Sequence, residues 1–255
     1  MSLFKRYLPG TETTPFVIVC LPRTGSNLLG EMLDTHPEVL CHMEIFNPKS
    51  TYLSRKPHLR IGTKDERDQD PWTFLQRVYE VTDGRRAVGF KLMPDHNNPV
   101  LLSVLLNRRV RKIVLHRPNV LQTYVSNCIA RQTQQWQLRA SNVDLAKPAS
   151  TKVDIDTHAF RRYARKVRIF YAMVGAIEKL TVQRFYHVNY PQLAQDRAIA
   201  IELMQFLGID SNVQLQKPLK KQNASGLQQK VGNYDELMRE LSRDARFATL
   251  LDPEM

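Results

Sequence analysis

Arg23, Thr24, Gly25, Ser26 and Asn27 are consecutive, and each can meet an anion. Gly25 lets backbone approach a charged oxygen closely. Thr24, Ser26 and Asn27 add hydroxyl and amide donors, and Arg23 brings a permanent charge on a forked donor set. An apolar β-type run, residues 16–21, precedes them, and Leu28, Leu29, Met32 and Leu33 follow at helical spacing. The polar run therefore opens a helix, where orphan N–H groups and the positive end of the dipole converge. That is the chemistry of holding a phosphate-like group. An ordinary strand-to-helix turn with a Ser or Asn cap fits the same residues. The run is neither Gly-x-x-x-x-Gly-Lys-[Ser/Thr] nor Gly-x-Gly-x-x-Gly, which disfavours ATP or GTP hydrolysis and a nicotinamide dinucleotide.

Three further groups could carry chemistry. Arg117 follows the expected strand Arg111–His116, and Thr123 and Ser126 lie on the next helix. In an open parallel sheet, ligands sit beyond the carboxyl ends of the strands. Ser126 is about two turns into that helix, so it shares an anion with Arg117 only if the helix leans back. No Asp or Glu lies between Asp95 and Asp144, so no local carboxylate can neutralise Arg117. Pro218-Leu-Lys-Lys-Gln-Asn223 is a basic loop that could close over a nucleotide or simply face water. Glu44 stands among Met43, Ile45 and Phe46, surroundings that should raise its pKa and suit a general base; a capping or salt-bridging Glu is the plainer alternative.

The elements that must position these groups alternate. Strands are expected at 16–21, 39–41, 87–93, 111–116 and 185–189. Helices are expected over 26–34, 72–81, 100–106, 120 to about 138, 158–180, 191–207 and 234–241. Residues 47–71 and 141–156 read as loops. Strands separated by helices imply right-handed crossovers, hence an α/β fold with a central parallel β-sheet flanked by helices on both faces. The chain of 255 residues, 42% hydrophobic, suits a single domain with its core at about 15–241. No apolar run is long enough for a membrane span and the first ten residues lack a signal core, so a cytoplasmic protein is expected. Three scattered cysteines, Cys20, Cys41 and Cys128, suggest neither disulfides nor a metal site. The net charge of +12 points to anionic partners. The acid-free stretch from Thr157 to Ile177, with five cations between Arg161 and Arg168, reads as a solvated basic face.

In combination these segments resemble the sulfotransferases that use PAPS (3'-phosphoadenosine 5'-phosphosulfate). Pro22-Arg-x-Gly-Ser26 resembles their 5'-phosphosulfate loop, and Arg117 followed by Ser126 their 3'-phosphate motif. Glu44-Ile-Phe-Asn47, Gly89-Phe-Lys-Leu-Met93, Val188-Asn-Tyr-Pro-Gln-Leu193 and Leu219-Lys-Lys-Gln-Asn223 look like bacterial carbohydrate and glycolipid members of the trehalose and nodulation-factor type. Arg23 stands where many animal and plant members carry Lys, and Pro191-Gln192 replaces a more usual Glu-Asp pair.

The resemblance implies a P-loop-like fold and transfer of a sulfuryl group from PAPS to a hydroxyl of a carbohydrate, glycolipid or other small acceptor, without a metal. It implies that Glu44 takes the acceptor proton and that Arg23 neutralises charge on the leaving phosphate. Thr24, Gly25, Ser26 and Asn27 would hold the 5'-phosphate, and Arg117 and Ser126 the 3'-phosphate, assisted by Lys221 and Gln222. Lys91 and His96 could reach the acceptor side, although a structural role suits both better. Two rivals remain: a P-loop-like small-molecule kinase, and a nucleic-acid-binding protein suggested by net charge. The kinase would need a loop Lys and an acidic strand end, where the chain has His116-Arg117. Oligomeric state stays open, a homo-oligomer included.

Overall fold

The computed structural model describes residues 13–54, 61–136, 151–216, 226–244 and 247. The chain divides into two compact units. One comprises Met1–Leu21, Gly25–His116 and Val174–Lys217; the other comprises Pro22–Thr24, Arg117–Met173 and Pro218–Met255.

The first unit is built on five parallel strands: β1 (Thr14–Val19), β2 (Val39–His42), β3 (Ala87–Leu92), β4 (Arg111–His116) and β5 (Tyr186–Asn189). Their order is β2-β3-β1-β4-β5. The path moves to one side of β1 through β2 and β3, then to the other side through β4 and β5. Such a reversal leaves ligand-binding space beyond the carboxyl ends of the central strands. Every residue of β3 is buried, as expected for a strand covered on both faces. Phe16, Ile18 and Cys20 pack with Leu29, Met32 and Leu33 of α1 (Ser26–Asp34) and Leu203, Met204 and Leu207 of α8 (Arg197–Leu207). On the opposite face Phe90 meets Tyr79 of α3 (Pro71–Glu80), with ring centroids 5.8 Å apart. Gly89 lies opposite Phe16 in the register, and a Cβ there would enter the Phe16 backbone and ring.

Local chemistry explains most helix boundaries. Thr63 and Glu66 form a reciprocal capping box for α2 (Lys64–Gln69). Asp70 caps α3 ahead of Pro71. Asn97 caps α4 (Asn98–Leu106) and Asn119 caps α5 (Val120–Thr133).

The second unit packs α5, the leading part of α6 (Thr157–Thr181), α9 (Leu227–Lys230) and α10 (Tyr234–Ser242). Its core includes Leu121, Val125, Ile129, Phe160, Leu237 and Leu241. A parallel bridge joins Val153 to Val231. Asn233 donates to and accepts from the Ile155 backbone at 3.1 and 2.9 Å.

Besides shifts of a residue or two at other ends and the unexpected short α9, four elements differ from the sequence reading. β1 begins and ends two residues earlier than expected. The expected loop over 47–71 contains α2, whose short polar sequence has too little apolar periodicity to betray it. α5 stops at Thr133, because Gln134 turns left-handed at φ 55° and its side-chain amide satisfies the Arg131 carbonyl. The single helix expected over 191–207 is two, α7 (Tyr190–Gln195) and α8. Asp196 breaks the run by accepting from Ala198 N–H, a new N-cap. Among the described residues no helix is long and apolar enough to cross a membrane.

Candidate active site

Gly25 is the N-cap of α1, at φ 93° and ψ 13°. That left-handed backbone favours glycine, and a Cβ would collide with the Tyr190 ring. No side chain caps this helix, so a Ser or Asn cap, the alternative reading of the loop, is not what these residues form. Their side chains are committed elsewhere. The Cys20 thiol, raised to about 12 by burial, is hydrogen-bonded to Ser26, while Asn27 Oδ1 accepts from the Lys91 ammonium.

Lys91 joins this loop to Glu44. It is 1% exposed near the carboxyl end of β3, and its Nζ lies 3.2 Å from Glu44 Oε1. The other carboxylate oxygen accepts from Asn47 Nδ2 at 2.8 Å. His96 Nε2 is 3.9 Å from Glu44 Oε2, and its Nδ1 is buried without a hydrogen-bond partner among the described residues. Burial pulls the His96 pKa down, against the nearby Glu44 charge. For Glu44 burial acts to raise the pKa, but the Lys91 charge, the Asn47 hydrogen bond and His96 together outweigh it, and the value falls below the ordinary 4.5. The expected raised pKa is therefore corrected. The apolar neighbours in sequence are real, but they bring a buried cation with them.

The segment carrying Glu44 is fastened from behind. Arg67 of α2 is 3% exposed. Its Nη1 donates to the carbonyls of Ile45, Asn47 and Ser50 at 2.8, 2.8 and 3.3 Å. Asp68 accepts from the rest of the guanidinium at 2.8 and 2.6 Å.

In the second unit, Arg23, Arg117 and Ser126 come together. Arg117 Nη1 donates to the Arg23 carbonyl at 2.9 Å, and Arg23 Nε donates to Ser126 Oγ at 3.1 Å. Arg117 Nη2 donates to Gln122 Oε1 at 2.8 Å, a neutral amide in the first turn of α5 and within the acid-free stretch. Arg23 Nη1 also donates to the Trp136 carbonyl at 2.6 Å. Arg23 itself sits at φ 65°, an uncommon conformation for a residue with a Cβ. Thr24 and Ser126 are buried. Two cations and a hydroxyl at this spacing suit an anion with several oxygens. Lys221 and Gln222 lie outside the described residues.

Lys91, Asn47, Gln122 and Tyr190 were not assigned to the site from sequence. A lone Lys inside an apolar strand and an Asn three residues after Glu44 were the available signals.

The family model "Sulfotransferase family" matches residues 15–212. Nodulation protein H of Rhizobium meliloti strain 1021 is 27% identical over 229 residues, covering 88% of this chain and 89% of its own length. Nodulation protein H of Rhizobium tropici is 26% identical over 236 residues, covering 91% and 90%. A sulfotransferase from Alicyclobacillus acidocaldarius shares the fold, with TM-score 0.50, 16% identity and coverage of 95% of this chain and 94% of its own. These matches decide against the kinase and nucleic-acid readings. A match through most of the chain, both units included, means that the protein belongs to the sulfotransferase family and is a transferase.

Proposed function

We propose that this sulfotransferase uses PAPS as donor and the hydroxyl of a carbohydrate, glycolipid or other small molecule as acceptor. The observation that carries the reading is the chain Asn27–Lys91–Glu44: one buried cation ties a loop at a helix N-terminus to the carboxylate best suited to take a proton. The backbone of Gly25, Ser26 and Asn27, with Thr24 and Arg23, holds the 5'-phosphosulfate. Arg117 and Ser126 hold the 3'-phosphate, and Lys221 and Gln222 remain assigned to the same end by resemblance.

In the transfer, the acceptor oxygen forms a bond to sulfur as the bond from sulfur to the bridging oxygen breaks. The acceptor proton passes to Glu44, and Arg23 offsets the negative charge that builds on the departing phosphate. In-line group transfer of this kind depends mainly on positioning and electrostatic stabilisation. Lys91 keeps Glu44 ionised, ready to receive a proton. We read residues 1–255 as one sulfotransferase domain, since the family match runs through both units.

The test is a thermal-shift series with PAP (the desulfated donor), ATP, GTP and NAD, followed by sulfuryl transfer to a glycan and glycolipid panel. Saturating PAP at 100 times its Kd should stabilise by about 2.7 kcal/mol, with little from the others. Stabilisation by ATP and magnesium without PAP would sink the donor assignment.

A further inference from the structure

The outer face of α6 carries two chemistries, one after the other. Its leading turns expose Arg162, Arg165, Lys166 and Arg168. Its trailing turns expose Ile169, Met173, Ala176 and Leu180, in steps of four, three and four that put them in one stripe. Ile169 is 56% exposed, Leu180 83%, and Val182 just past the helix end 85%. Lys179 stands beside the stripe. The helix has a single acid, Glu178, and it points away from this face: its carboxylate accepts from Phe185 N–H and bonds His187, both at 2.8 Å. The solvated basic face expected from sequence is thus only half basic.

We propose that this face of α6 docks the protein on an anionic lipid bilayer. A bilayer surface supplies both complements at once, phosphates for the cations and an acyl boundary for the stripe. The long stems of Arg168 and Lys179 can lie along the apolar side while their charges reach the headgroups. A second copy of the chain fits less well. The stripe has coiled-coil spacing, but the charges exposed beside it, Arg165, Arg168 and Lys179, are all cationic, so self-pairing sets like charges against one another. Nucleic acid fits less well too, since the stripe offers no aromatic platform for bases.

The test uses the full-length protein with phosphatidylglycerol-containing vesicles and with pure phosphatidylcholine vesicles. Binding should be at least about tenfold tighter to the anionic vesicles and weaken with salt. Ile169→Gln/Leu180→Gln should lose about tenfold while keeping its thermal midpoint and its affinity for PAP. Arg165→Ala/Lys166→Ala should abolish most of the preference for anionic lipid. Equal binding to both vesicles, or double variants that bind like the parent chain, would overturn the proposal. So would a dimer in solution that Ile169→Gln/Leu180→Gln converts to monomer, or tight binding to duplex DNA by a chain that ignores vesicles.

Discussion

Lys91 and Glu44 form an asymmetric pair: the ammonium is 1% exposed, the carboxylate 22%, with Nζ 3.2 Å from Oε1. The cation is enclosed, and the carboxylate is the member that solvent or an acceptor can reach. Glu44→Gln should therefore bind PAP within about threefold of the parent chain yet lose about two to four decades of turnover, the range of a general base. Full transfer by this variant would move proton abstraction elsewhere. It should also lower the thermal midpoint, because Lys91 is left buried without its countercharge.

The same pair sets an acid limit. Glu44 is more acidic in the folded chain than its ordinary 4.5, so its contribution to stability is complete above that value and is lost as pH falls through the lower folded value. The acid limb of kcat/KM that belongs to Glu44 should lie below pH 4.5, as a pH–rate profile on chain still folded would register. A limb above that value that Glu44→Gln abolishes would contradict the depressed pKa.

Arg117 divides its donors between the Arg23 carbonyl and Gln122. Losing it removes a charged ligand and the brace behind the phosphate loop. Charged hydrogen bonds contribute about 1.5–3 kcal/mol each, so Arg117→Ala should weaken PAP by about one to two decades in calorimetry. Arg117→Lys should recover little of this, because one ammonium cannot reproduce a planar fork aimed at two acceptors.

Gly25→Ala meets two obstacles, the left-handed φ of 93° and the Tyr190 ring. The backbone term alone costs about 1–2 kcal/mol. Gly25→Ala should lower the thermal midpoint and weaken PAP. Tyr190→Ala in the same chain should recover only part of the loss, since it clears the ring but leaves the dihedral. Complete recovery would mean that the dihedral carries no cost.

Lys112 offers a pH test far from the loop. It is 1% exposed, donates to the Asn107 carbonyl and Gln183, and lies 5.3 Å from the Phe185 ring centroid. Burial pushes its pKa from 10.5 down to about 7. Between those values the unfolded chain binds more protons than the folded one, so stability rises with pH. The contribution is up to about 1.4 kcal/mol per pH unit. Denaturant midpoints should climb from pH 7 to 9, and Lys112→Met should flatten the climb. An unchanged slope in the variant would assign it to other groups.

The three central strands of the sheet were legible because apolar residues cluster in each and a proline follows, at Pro22, Pro94 and Pro118. The loop at α1 was legible because its polar residues interrupt a strand-to-helix pattern. What could not be read depends on long-range company. Sequence neighbours made Glu44 look like an acid in an apolar pocket, while the cation that decides its charge lies 47 positions away. Lys91 itself looked structural because only its contacts, not its neighbours, reveal what it joins. Helix α2 escaped notice because it lacks an apolar stripe, although its Thr63–Glu66 capping box was a readable signal, and Asp196 broke a helix that apolar spacing alone would have continued.

Arg67 grips three carbonyl oxygens and no side chain of the 45–50 segment. Carbonyls are common to every amino acid, so this grip is indifferent to what the segment displays outward. Exposed Pro48 and Lys49 can be exchanged for other residues without loosening that grip, while Asn47, whose amide donates to Glu44, must stay. A scaffold arranged in this way can revise the company it keeps on its outer side while the proton-handling group stays where it was.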